Sequence, residues 1–199
     1  MVFLQRITIK IIMSVSESIK KRRAIYPSQY KEEDISENDI KEILENANYA
    51  PSHRLTQPWF FKVYQNEFKI ELANSMVKHY KLSSSVKNIG IKEKKIIDKC
   101  TQSSCIIAIF MNRDLAESVP EWEEIASTAM AVQNMWLTCV EKNIGCYWST
   151  PGYIKSMSNY FNLKQNQKCL GFFYMGSFNH DEKTPTVRNE ILGKTEWFK

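Results

Sequence analysis

The residues best suited to chemistry gather in Ala50–Trp59, A-P-S-H-R-L-T-Q-P-W, where two prolines bracket a polar tetrad: Ser52, His53, Arg54 and Gln57. Hydroxyl, imidazole, guanidinium and amide groups on such a loop can hydrogen-bond a ligand, although the same pattern also describes an ordinary helix-to-strand connection. Pro51 lacks a backbone donor and is expected to end the preceding helix near Ala50. Pro58 is expected to push Gln57 into an extended conformation. Tyr49 stands four residues before His53, so at a helix end both could reach the same side of the loop.

A second group is basic: Lys20, Lys21, Arg22 and Arg23 close the first helical segment. Adjacent arginines suit a phosphate dianion, and they equally complement a helix C-terminus; these residues alone favour neither reading. No glycine-rich dinucleotide fingerprint, P-loop or nucleophile elbow is present. His79 and His180 sit in polar surroundings and read as surface residues.

The 199 residues are 43% hydrophobic and 25% charged, as in a soluble single domain with a sizeable core. No apolar run approaches the roughly 20 residues of a membrane helix. Net charge is +5. Six lysines fall between Lys81 and Lys99, which reads as a solvated face rather than a nucleic-acid surface. The five cysteines are odd in number and form no C-x-x-C pair, arguing against a metal site or a disulfide framework. With no cleavable signal visible, a cytoplasmic location is expected. Residues 1–12 are basic and apolar. They read as a dispensable extension, possession of an edge strand being the rival, with Met13 as the start of the domain at 13–199.

The elements that must position these groups follow from periodicity. Serine-capped helices are expected from Ser14 or Ser16 to Lys21 or Arg22, and after Ser36, where Ile40, Ile43, Leu44 and Ala47 form an apolar stripe. Strands are expected at Trp59–Gln65, Cys105–Met111, Cys146–Ser149 and Cys169–Gly176. Phe68 to Tyr80 suggests three helical turns, and residues 81–99 a loop or short helix beside the site. Glu121–Asn143 is the longest helix, with Trp122, Ile125, Ala129, Val132, Trp136 and Val140 on one face. A short helix is expected at Tyr153–Phe161. Strands and helices mix without strict alternation, which indicates an α+β fold. The polar tail from Ser177 ends in Trp197-Phe198, large apolar residues for which a partner subunit is a natural cover.

Five segments in order resemble the nitroreductase family of FMN-dependent oxidoreductases, in particular its small branch. They are Arg22-Arg23-Ala24, the A-P-S-H-R-L-T-Q-P-W loop, the helix beginning V-P-E-W-E-E, G-C-Y-W-S-T, and G-F-F-Y-M-G with its tail. The resemblance implies a mixed, mainly antiparallel sheet ringed by helices, in a homodimer clasping FMN at its interface.

Residue by residue, it implies that Arg22 and Arg23 grip the FMN phosphate, with Ala24 where a serine is usual. Tyr49, Ser52 and His53 would touch the flavin, and Leu55 stands where asparagine is common. Trp148, Ser149 and Thr150 would pass along the isoalloxazine ring, and Arg188 would meet the phosphate from the tail. Asn143 replaces a common glycine and tolerates positive φ.

The implied activity is ping-pong reduction of nitro, quinone or related small acceptors with NADH or NADPH. The flavin carries the hydride chemistry, so no catalytic side chain is singled out. The rival readings are a flavoenzyme of the same fold that dehalogenates or dehydrogenates, with residues 81–99 as its lid, and a non-catalytic flavin-binding protein, which Ala24 and Leu55 motivate. Neither a nucleic-acid partner nor a membrane is expected.

Overall fold

The computed structural model describes residues 13–83, 89–179 and 187–199, so the extension at 1–12 lies outside the described residues. Its centre is a four-stranded sheet of β1 (Trp59–Tyr64), β2 (Cys105–Asn112), β3 (Ile144–Ser149) and β4 (Gln167–Ser177), in the order β1-β2-β4-β3. These are the stretches rich in aromatic and branched residues, which suit a pleated surface. All three described pairings are antiparallel, with Trp59 opposite Met111, Cys105 opposite Met175 and Ile144 opposite Ser177. The expected antiparallel character holds, and none of the described strands forms the parallel pair of a mixed sheet.

The helices are α1 (Val15–Lys21), α2 (Glu37–Ala47), α3 (Glu67–Ser83), α4 (Ile89–Gln102), α5 (Glu121–Glu141) and α6 (Ser158–Phe161). Ser14 and Glu17 form a capping box on α1, and Ser36 Oγ accepts from Asp39 N to cap α2. One sheet face packs on α2 and α5 through Ile43, Met135, Ile107 and Phe173. The other packs on α3, α4 and α6 through Leu72, Cys100, Phe110 and Phe161. Covered on both faces, β2 is buried from Cys105 to Met111, which explains its unbroken apolar run. Each large side chain so buried contributes about 1.5–3 kcal/mol.

Several expectations are corrected. Helix α2 stops at Ala47, three residues short of Ala50, so Tyr49 is not on the helix and is 77% exposed. Gln57 takes φ +42 rather than an extended conformation, because its N–H is drawn back to Ser52 Oγ at 3.2 Å. Helix α3 runs to Ser83, and of the two alternatives for residues 81–99 the helix holds from Ile89 as α4, longer than expected and steadied by the Lys94–Asp98 pair at i,i+4. Residues 153–161 fold as a 3-10 turn (Ile154–Met157) leading into α6.

The core face of α5 also differs. Glu124, Thr128, Ala131, Met135 and Cys139 face inward, whereas Trp122 is 67% exposed and Ile125 is also exposed. Of the face expected from spacing, Val132 and Trp136 do pack into the core, but polar side chains such as Glu124 and Thr128 take the inward positions of the first turns instead of Trp122 and Ile125. Glu124 is tolerated there because Arg113 pairs with it and Asp114 N donates to it at 2.8 Å. Among the described residues, no helix is long and apolar enough to cross a membrane.

Candidate active site

Two groups of site residues emerge, at opposite ends of α5. The first forms on the free edge of β3. Arg22 closes α1, and the chain then runs beside the strand, Ile25 N donating to Cys146 O at 3.0 Å. Tyr30 Oη fixes this segment by donating to Ile25 O at 2.9 Å. The Arg22 guanidinium lies 4.7 Å over the Trp136 ring, while Trp136 Nε1 donates to Arg23 O at 3.2 Å. One indole on α5 thus sets both the side chain of Arg22 and the backbone of Arg23. Arg22, Arg23 and Ala24 are half-buried, and among the described residues no carboxylate pairs with Arg22.

Trp148, Ser149 and the exposed Thr150 end β3 at this same edge. Trp148 Nε1 donates to Leu170 O at 3.1 Å. Room for the indole comes from β4, where the register slips so that Ile109 faces Gly171 and Phe110 faces Cys169. Gly171 has φ +143, and a Cβ there would lie 2.2 Å from Trp148 Nε1. A glycine within an apolar strand was the available sequence signal for this bulge.

Sequence reasoning missed a cavity of about 540 Å³ that Ser149 borders. Lys92, Lys95 and Lys99 on α4 line it, as do Tyr80, Tyr153 and Tyr174. Lys99 Nζ is 5.5 Å from the centre of the Tyr147 ring, which stacks on Tyr174 at 5.2 Å. Burial pushes the Tyr153 and Tyr174 phenols well above their ordinary range, so both hydroxyls remain donors. Tyr147 Oη is buried without a hydrogen-bond partner among the described residues. The spacing 92, 95, 99 carried the signal, since i, i+3 and i+7 share a helix face.

The second group is the proline-bracketed loop. His53–Leu55 make one 3-10 turn, and Arg54 (φ +52), Leu55 (φ +56) and Gln57 (φ +42) all occupy the left-handed region. Three such non-glycine residues in four positions mark a loop whose conformation is held by its surroundings. His53 Nδ1 lies 2.6 Å from Glu123 Oε2 in the first turn of α5, a partner the sequence did not indicate. Beside them is a groove of about 370 Å³ bounded by Pro51, Ser52, Trp122 and Met130.

Glu123 and Trp136 are 13 residues apart, so the two groups are separated by about 20 Å along α5 and roughly 140° around it. Within one chain, Tyr49, Ser52 and His53 are therefore not brought to Arg22 and Trp148. Arg188 is exposed on the tail, where its Nη1 donates to Val187 O, and joins neither group.

Residues 19–177 match the model of the family described as Nitroreductase family. The chain belongs to the nitroreductase family. Among curated relatives of this nitroreductase-family chain, "Putative NAD(P)H nitroreductase YfhC" of Bacillus subtilis (strain 168) is 28% identical over 176 residues. That match spans 85% of this chain and 86% of the relative. A solved nitroreductase-like family protein from Bacillus cereus superposes with a TM-score of 0.81 at 22% identity, over 94% of this chain and 97% of that one. A nitroreductase with bound FMN from Bacteroides fragilis NCTC 9343 gives 0.71 at 20% identity, over 94% and 100%. These two superpositions establish the shared fold.

The donor set at the β3 edge fits a phosphate-bearing planar heterocycle. Arg22 is a half-buried cation that pairs with no carboxylate among the described residues, Trp148 ends the strand beside it with a planar ring, and Lys99 brings a second charge to the adjoining cavity.

Proposed function

We propose that this protein is an FMN-dependent NAD(P)H oxidoreductase that reduces small acceptors, nitro compounds and quinones among them, in two half-reactions at one place. The observation that carries the reading is that Arg22, Arg23 and Ala24 lead into Ile25, which is hydrogen-bonded to Cys146 on the edge strand β3 that ends in Trp148–Thr150, in a chain of this family. Bound FMN would supply the two-electron chemistry, taking hydride from the nicotinamide and yielding it to the acceptor.

The chain's own residues do the rest. Arg22 and Arg23 bind the phosphate, with the Ala24 amide replacing the hydroxyl that a serine would bring. Trp148, Ser149 and Thr150 orient the ring. Lys99 adds positive charge to the cavity beside Ser149, which favours the negative charge that reduction places on the ring.

Two copies complete the site. The loop bearing Tyr49, Ser52 and His53 is about 20 Å along α5 from the arginines of its own chain, so it serves the β3 edge of a second copy. Exposed Trp122, Ile125 and Met130 on α5, with Trp197 and the 92%-exposed Phe198 of the tail, are the apolar surfaces such pairing would cover. Arg188 would reach the phosphate with that tail. Free thiols at all five cysteines fit a reducing cytoplasm.

The test is direct. Purified protein should be yellow, release FMN on denaturation, bleach under anaerobic NADH or NADPH, and run as a dimer in light scattering. Protein that binds no added FMN and shows no bleaching would overturn the reading.

A further inference from the structure

Lys92 and Lys95 are exposed and Lys99 is half-buried, all along the face of α4 that borders the cavity next to Ser149. Among the described residues none of the three is paired with a carboxylate. The acids of α4 are engaged elsewhere: Glu93 pairs with Lys81 at 2.9 Å and Asp98 with Lys94 at 2.9 Å. Among the described residues no Asp or Glu lines the cavity. The other walls are rings, those of Tyr80, Tyr153 and Tyr174. Tyr80 and Tyr153 meet edge-on at 6.1 Å.

We propose that this cavity selects a planar aromatic substrate that carries a carboxylate. The tyrosine walls offer a planar ring edge and face contacts, and the ammonium groups of the lysine row stand beside them. Lys92 and Lys95 stand at the outer part of the lysine row and take the carboxylate. Lys99, deeper and over Tyr147, stays beside the strand end where the flavin ring is placed. The cavity volume suits a single-ring ligand with room for several waters.

This inference rests on the oxidoreductase reading for its chemistry, and on the cavity alone for its binding. For a nitrobenzoate, the nitro group takes two electrons and two protons to become nitroso with release of one water. NAD(P)H supplies the hydride, and solvent supplies the second proton.

The experiment compares 4-nitrobenzoate with the neutral 4-nitrobenzamide by calorimetric titration, on FMN-free and on FMN-loaded protein at 50 mM NaCl. The carboxylate should bind about tenfold more tightly, a difference of ~1.4 kcal/mol. Raising NaCl to 300 mM should shrink that margin. Lys92→Gln/Lys95→Gln should abolish it while leaving FMN affinity intact. Equal binding of the two probes, or a preference that survives in the double variant, would overturn the proposal. Protein that prefers the carboxylate but binds no FMN would support the cavity assignment and defeat the flavin reading instead.

Discussion

His53 Nδ1 sits 2.6 Å from Glu123 Oε2, so the loop after α2 is fastened to the first turn of α5 by a contact between an imidazole and a carboxylate. The bond occupies one ring nitrogen and leaves Nε2 for a ligand. The side chains are 55% and 24% exposed, which places the pair among partly solvated contacts worth about 0.2–1 kcal/mol. Glu123→Gln should therefore lower unfolding stability by less than about 1 kcal/mol. It should also reduce the fraction of the Nδ1–H tautomer, read by long-range proton–nitrogen NMR of the FMN-free protein. A stability loss of several kcal/mol with the tautomer unchanged would make the contact purely structural.

Leu55 is 81% exposed and holds φ +56, where a β-carbon crowds the following carbonyl. Nothing in its packing offsets that strain within one chain. Leu55→Asn should stabilise the FMN-free protein by on the order of 1 kcal/mol, because asparagine tolerates this region. Thermal unfolding should then shift upward by roughly 2–4 °C. A fall in melting temperature would show that the leucine packs against something the isolated chain does not present.

The four strands and the caps of α1 and α2 were legible because short-range chemistry specifies them. Apolar runs make β2 and β4, while Ser14 with Glu17 and Ser36 with Asp39 satisfy helix-end donors. What escaped depends on contacts distant in sequence. The inward face of α5 could not be read while Glu124 looked like a surface charge, since its partner Arg113 lies 11 residues away across a turn. Gln57 is positive in φ only because Ser52 recaptures its amide, which outweighs the preference imposed by Pro58. The lysine-rich stretch left loop and short helix both open because its apolar inner face, Ile96 and Cys100, is narrow. Arg22 and Arg23 stood out in the sequence as candidates for a phosphate, but Trp136, which orients them, did not.

Arg22→Ala removes the guanidinium that lies over Trp136 and, in the proposed site, the charge-assisted contact to the FMN phosphate. Such contacts contribute about 1.5–3 kcal/mol. FMN affinity should accordingly fall by roughly 10- to 150-fold, measured by flavin fluorescence on titration into FMN-free protein. Unchanged affinity would place the phosphate elsewhere.

Burial pushes the thiols of Cys100, Cys105 and Cys169 up to about 12. In the unfolded chain they would titrate near the ordinary value of roughly 8.5. A raised folded pKa contributes stability that is complete below the unfolded value and is lost as pH rises through the folded one. The urea midpoint should thus decline between pH 9 and 11, and more slowly in a Cys100→Ser variant. At pH 8, native Cys100 and Cys105 should resist a thiol reagent that reacts fully after unfolding. Rapid native modification of either would refute their burial.

Glu124 is fully buried, pairs with Arg113, and accepts from Asp114 N at 2.8 Å. Arg113 Nη1 also donates to Val119 O at 2.6 Å, so this cluster ties the end of β2 and the turn before α5 to one carboxylate. Glu124→Ala leaves a guanidinium that is only 17% exposed with Val119 O and the exposed Glu117 carboxylate 3.8 Å away, and orphans a backbone amide, which should cost about 3–5 kcal/mol. Glu124→Gln keeps an acceptor for the amide and should cost distinctly less. The two variants separate charge from shape in urea unfolding, and equal losses would show that the carboxylate charge alone is at stake. Because Glu123 leaves the same helical turn toward His53, Glu124→Ala should also speed amide exchange in the 52–57 loop. Glu123→Gln should do the same with little global cost, and that contrast would identify the first turn of α5 as the shared anchor of fold and site.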